Sequence, residues 1–230
     1  MWRSVHKIGS IRRFWDKEES LTFFLWLLSA FIFIVIPLSK FNLKLRALVT
    51  VFLGMVIVSG IWATFSSKKK ASVAVGLVVV ALTFSEVLLL FAEGRLGTIL
   101  IELCTTPVLI LFLYVTLKQT MKRGHISSHR IKGAVASYLL FGVVWAKLYN
   151  LIELIVPGSI SGVDTANPLI SLIYFSFVTL TTLGYGDILP VNEVTRTLSN
   201  VEALIGQLFP AIFIARLVSL EVDERKARAD

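Results

Sequence analysis

Seven residues, Thr181-Thr182-Leu183-Gly184-Tyr185-Gly186-Asp187, carry the most suggestive chemistry in the chain. A cation that leaves water needs a substitute shell of oxygens. A short extended backbone supplies one when its carbonyls all turn to the same side, which demands a handedness that alternates along the chain. Only glycine takes the left-handed half of that alternation freely, and glycine stands at 184 and 186. Four such strands around one axis would stack rings of oxygen ligands, with the Thr182 hydroxyl closing the inner end. The apolar stretch before them, Pro168 to Leu180, is too short to cross a bilayer.

Thr182-Leu183-Gly184-Tyr185-Gly186-Asp187 resembles the selectivity filter of potassium channels, whose common form has valine in place of Leu183. The preceding Tyr174-Phe175-Ser176-Phe177-Val178-Thr179-Leu180-Thr181 is similar to that family's pore helix, with Tyr174-Phe175 where many members carry two tryptophans. Gly206 stands where the family often has a hinge glycine. The resemblance implies K+ bound at Thr182, Leu183, Gly184 and Tyr185, with Gly186 completing the filter and Asp187 at its outer mouth. It implies support from Tyr174, Phe175 and Thr181, the two aromatics packing against Tyr185 of the same or a neighbouring subunit. Leu183 leaves the backbone ligand unchanged, so potassium is expected to be preferred over sodium. Some less selective relatives carry Asp in place of Tyr185 and lose an ion layer. The resemblance is strong over about Gly133 to Leu220 and only architectural over Met1 to Lys132.

The positioning elements follow from composition. Of 230 residues 56% are hydrophobic and only 17% charged, and several apolar runs approach or exceed the length that spans a hydrocarbon core. The chain therefore reads as an all-α integral membrane protein. Its net charge of +8 sits in short segments between apolar runs, a topology signal that excludes nucleic-acid binding. Cys104, the single cysteine, cannot form an intrachain disulfide and reads as a small packing residue. Leu21 begins an apolar run after a basic segment, but Pro37-Leu38-Ser39-Lys40 offers no cleavage site, so it reads as a retained span.

Six transmembrane helices fit, near 21–39, 46–65, 71–92, 97–117, 133–156 and 193–219, with a re-entrant pore helix and filter between the fifth and sixth. With the N-terminus inside, seventeen Lys and Arg lie on the cytoplasmic side and five (Lys40, Lys44, Arg46, Arg95, Arg196) outside. Retention of positive charge then places both termini in the cytoplasm, with the plasma membrane the expected location. The division is a basic N-terminus (1–20), a four-helix bundle (21–117), a basic linker (118–132), the pore domain (133–220) and a short tail (221–230). The tail has no room for a regulatory domain.

The four-helix bundle occupies the place of a voltage sensor in six-span channels. A sensor needs basic residues at every third position of its fourth helix, each contributing about 2.3 kcal/mol per 100 mV. Here Gly97 to Leu117 contains none, which predicts voltage-independent opening. Glu86, Glu93 and Glu102 are acids within or near spans, read either as functional carboxylates or as groups bonded across helices or reaching headgroups. Pro107 is expected to kink its span. The linker, with His125 and His129, reads as a solvated connection that attracts anionic lipid headgroups.

In the pore domain Lys147 interrupts the fifth span and needs a carboxylate, a carbonyl or water beside it. Glu153 stands where family members can brace the loop behind the filter. Pro157 ends the helix, and Gly158 to Thr165 form a turret loop. Asn167-Pro168 predicts a helix start with a capping side chain. That helix aims its carbonyl end at the pore centre, where its partial negative charge favours a cation. Gly206 and Pro210 weaken one turn of the sixth span and predict a bend, either a gating hinge or a fixed kink. Glu202 falls at the cavity wall or behind the filter, both open on sequence.

One filter strand per chain implies a homotetramer. The reading is a potassium-selective channel conducting K+ passively, with K+ the permeant and bound ion and no organic cofactor. A non-conducting or regulatory subunit and a weakly selective cation channel are the alternatives. No internal repeat suggests a transporter, and scattered Glu86, Glu102 and Lys147 make no enzyme site.

Overall fold

The computed structural model describes residues 22–35, 94–121 and 128–229, and these are mostly helical. The expected spans 46–65 and 71–92, with Glu86, Glu93 and the basic N-terminus, lie outside them. Helix α1 is the apolar segment Thr22–Ile34, widening to a π-helical turn over Phe31–Val35. Helix α2 is Arg95–Thr120, α3 is Ser128–Ile155, α4 is Pro168–Leu180 and α5 is Glu193–Ala229. Three of them, over Arg95–Lys118, Arg130–Ile155 and Glu193–Ser219, are long and apolar enough to cross a membrane. Of the expected basic linker, residues 118–120 belong to α2 and 128–132 to α3, and 122–127 lie outside the described residues.

Helix α3 is the hub. Leu140, Val143 and Val144 on it close a core with Phe24 and Leu28 of α1, Leu109, Phe112 and Leu113 of α2, and Ile173 of α4. A second cluster joins Trp145 and Tyr149 to Leu172 and Phe175 of α4 and to Ile160. Burial concentrates on α3, which packs against α1, α2, α4 and α5: 61% of its apolar stretch is buried, against 33% for α2 and 17% for α5.

Polar contacts fasten α2 at three levels. At one end Arg95 donates from Nε to the Leu154 carbonyl (2.6 Å) and from Nη2 to the Ile155 carbonyl (3.0 Å), satisfying the last acceptors of α3. Midway, Lys147 Nζ lies 2.6 Å from Glu102 Oε2, and Asn150 Nδ2 donates to Glu102 Oε1 at 2.7 Å. At the other end Arg216 Nη2 of α5 donates to the Met121 carbonyl. Glu102 is thus the carboxylate that Lys147 needs, and of its two readings the bond across helices holds.

Two local expectations are corrected. Asn167 precedes α4 with Pro168 at the first turn, but its side chain makes no capping bond. Its backbone carbonyl takes the amides of Ile170 and Ser171 instead. Pro107 and Pro210 both lie inside continuous helices, α2 and α5. Cys104 is exposed on α2 rather than packed.

Candidate functional site

The site is built where α4 stops. Leu180 is its last residue, and the amides of Thr181, Thr182 and Leu183 fold back onto the carbonyls of Phe177, Thr179 and Val178. Beyond them residues 183–186 have no regular secondary structure. Positive φ recurs at every second residue: Thr182 at 56°, Gly184 at 63° and Gly186 at 80°. Leu183 and Tyr185 between them are not in that region. This is the alternation that turns successive carbonyls to one side of a strand. At Thr182 it is adopted by a residue with a side chain, a conformation that costs about 1–2 kcal/mol. Gln207 of α5 donates from Nε2 to the Thr182 hydroxyl at 2.9 Å, tying that residue to the neighbouring helix.

The supporting side chains divide between two directions. The Tyr174 ring stacks on Tyr185 with centroids 6.3 Å apart and planes 4° from parallel, and its hydroxyl donates to Asp187 Oδ1 at 3.1 Å. Phe175 turns the other way, edge-on to Tyr149 at 5.0 Å, and is buried. Thr181 donates its hydroxyl to the Phe177 carbonyl, so it closes the helix end. Side chains from Thr181 to Asp187 are exposed on the single chain; Tyr185 is 66% and Leu183 55% accessible.

Around this strand the chain forms a hydrogen-bonded frame. Ile160–Ser161 (β1) pairs antiparallel with Leu189–Pro190 (β2), joining the loop before α4 to the loop after Asp187. Glu153 braces the same loop, accepting from the Gly158 amide (2.6 Å), the Ser159 hydroxyl (2.7 Å) and the Ile160 amide (3.0 Å). Ser159 in turn offers its carbonyl to the Val191 amide and the buried Thr195 hydroxyl. Asn192 caps α5, its Oδ1 accepting from the Thr195 amide at 2.8 Å. Sequence reading missed this cap, although Asn192 three residues before Thr195 is an ordinary helix-start signal.

Behind α4, Glu202 is fully buried, which decides between its two readings: it is on the side away from the exposed strand. Its carboxyl meets Ser176 of α4 and Tyr149 of α3. Four residues on, Gly206 presses against the end of α4. A Cβ there would stand 1.9 Å from the Leu180 carbonyl oxygen, so only glycine allows this approach. Tyr138 donates to the same oxygen at 3.2 Å. Pro210, one turn further along α5, is exposed. Among the described residues no group of three or more His, Cys, Asp and Glu could hold a metal ion.

Residues 134–222 match a family described as ion channel. Two pore potassium channel a of Oryza sativa subsp. japonica is 34% identical over 89 residues, 39% of this chain and 23% of its own length. Two-pore potassium channel 5 of Arabidopsis thaliana is 26% identical over 121 residues, 52% of this chain and 28% of its own. Protein LctB of Geobacillus stearothermophilus is 37% identical over 62 residues, 27% and 45% of the two chains. The chain thus covers only about a quarter of the two plant proteins. No solved structure matches it. Over residues 134–222 the chain is thus similar to ion channels, potassium channels of plants among them.

Proposed function

We propose, from the premise of an ion-channel segment at 134–222, that the protein is a potassium-selective channel conducting K+ passively as a homotetramer. The observation that carries this reading is the recurrence of positive φ at 182, 184 and 186 directly beyond the end of α4. With carbonyls turned one way, four copies around an axis replace the water of a K+ ion by rings of oxygens at Thr182, Leu183, Gly184 and Tyr185. Gly186 completes the strand, and Asp187, held by Tyr174, sits at its outer mouth. In this reading α4 enters and leaves the membrane on one side, and its carbonyl end favours the cation.

The partner that completes the site is a second copy of this chain. A lone strand supplies one quarter of each ring. Its exposed Leu183 and Tyr185, with Val201, Leu204 and Leu208 exposed on α5, are apolar surface beside the strand itself. Voltage independence is part of the proposal: α2 carries no Lys or Arg between Arg95 and Lys118, and Glu102 on it is bound to Lys147. Gly206 and Pro210 are the proposed hinge, with motion passed to the strand through the Leu180 carbonyl. Both termini are assigned to the cytoplasm of a plasma-membrane protein, with anionic headgroups near 118–132.

The test is K+ flux from liposomes holding the purified chain, read against Na+. Selective K+ efflux is expected, reduced at least about tenfold in Gly186→Ala, since each of four strands then bears about 1–2 kcal/mol of left-handed strain. Absence of flux, or flux indifferent to that substitution, overturns the channel. Equal Na+ flux overturns the selectivity. In bilayer recordings, a steep conductance–voltage curve would refute voltage independence. Open probability unchanged by combined Gly206→Ala and Pro210→Ala would remove the hinge.

A further inference from the structure

Glu202 lies at a junction of three helices, and the positions of its neighbours' oxygens constrain its protons. Its Oε1 is 2.5 Å from Ser176 Oγ, and its Oε2 is 2.7 Å from the Tyr149 hydroxyl. Ser176 Oγ is also 2.8 Å from the Gly142 carbonyl oxygen. Each short contact between oxygens needs a hydrogen between them. Ser176 has one hydrogen for two such contacts, and the Gly142 carbonyl has none to give. Tyr149 commits its hydrogen to Oε2, and Ser199 directs its own to the Thr195 carbonyl at 2.8 Å. One hydrogen is missing from the count if the carboxyl is ionised.

We infer that Glu202 carries the missing proton on Oε1 and acts as the positioning residue that holds α4 at a fixed angle between α3 and α5. The chain of donation then closes: Glu202 Oε1 to Ser176, Ser176 to the Gly142 carbonyl, Tyr149 to Oε2. A neutral carboxyl also accords with its surroundings. Among the described residues no cationic side chain pairs with it. Lys147, two residues from Tyr149 on α3, points to the opposite side of the helix and is committed to Glu102. Among the described residues the titratable groups facing Glu202 are Tyr149 and Tyr138, both from α3; α4 presents the Ser176 hydroxyl, and the Ser199 hydroxyl of α5 meets Tyr149. None of them supplies positive charge. Removing the proton leaves a buried anion without a counter-ion and one short oxygen contact without a hydrogen, so the junction must open. Ser176 is four residues before Leu180, and loosening there reaches the conducting strand. This consequence for flux rests on the channel reading above; the protonation itself does not.

The experiment is infrared difference spectroscopy of the full chain in lipid, neutral against alkaline, paired with K+ flux on the same samples. The expected result is a protonated-carboxyl C=O stretch at neutral pH that is lost on alkalinisation and absent from Glu202→Gln. The glutamine amide can donate to Ser176 and accept from Tyr149. Flux through Glu202→Gln should therefore stay within about twofold of the parent, against roughly tenfold for a lost buried hydrogen bond. It should also no longer fall at alkaline pH. A neutral-pH spectrum identical in parent and Glu202→Gln overturns the inference, as does a Glu202→Gln flux that keeps the parent's alkaline decline. If Glu202→Gln does not fold, Ser176→Ala removes the proton's acceptor and should shift the band; an unmoved band overturns the inference. If no variant conducts, the channel reading fails and the band alone decides this one.

Discussion

Glu102 and Glu202 are both carboxyls removed from water against α3, on opposite sides of it, and the chain stabilises them by different means. Glu102, toward α2, has a full positive charge at 2.6 Å from Lys147, an amide from Asn150 and a weaker contact from Thr106. Glu202, toward α4, has only hydroxyl partners. The attraction of opposite charges at low dielectric is strong and weakly directional, so the joint with α2 tolerates small changes of angle between the two helices. A hydroxyl network is short and angle-dependent, so the joint with α4 holds one arrangement or none. The peripheral side is thus built for attachment and the inner side for registration of the helix that precedes Thr182.

Breaking the charge pair should have the largest effect. Lys147→Met strands Glu102 without its cation and should lower the stability of the detergent-solubilised protein by about 3–5 kcal/mol in thermal unfolding. Adding Glu102→Leu to it should restore most of the loss; a double variant as unstable as the single would show that the pair is not the cause. On the inner side, Gly206→Ala forces a methyl into the Leu180 carbonyl and should cost about 1–3 kcal/mol. Unlike Lys147→Met, it should also depress K+ flux in liposomes at a temperature where the protein is folded. Tyr149→Phe takes away one donor to Glu202 and should cost about 1–2 kcal/mol. Equal sensitivity of flux to Lys147→Met and Tyr149→Phe, once corrected for folded fraction, would erase the division between attachment and registration. Ser199→Ala should change stability by no more than about 0.5 kcal/mol, because its contact with Tyr149 is 3.4 Å long and its own hydrogen bonds back within the helix.

These two joints also mark how far the sequence could be read. The C-terminal end of α3, the limits of α4 and the start of α5 follow from hydropathy, Pro168 and the break at Pro157, because these helix limits are local properties. Lys147 announced a need for a partner, since a lone charge in an apolar helix is costly, but Glu102 is 45 residues away. Choosing it requires the relative rotation of two helices that are apolar nearly all round, and periodicity does not encode that. Glu202 had two possible sides for the same reason. Gly206 read as a weak point in a helix, whereas its contact with Leu180 depends on a neighbour absent from the local pattern. The β1–β2 pairing was invisible because two-residue strands have no periodicity to detect.

The three fastenings of α2 have a mechanical consequence. Its ends are bound to different helices, Arg95 to the terminus of α3 and Met121 to Arg216 of α5, with Glu102 pinned between. A strut held in this way resists sliding along its axis, since any slip would break bonds at all three heights together. Sideways load on it, by contrast, is shared at once by α3 and α5, the two long helices that flank α4.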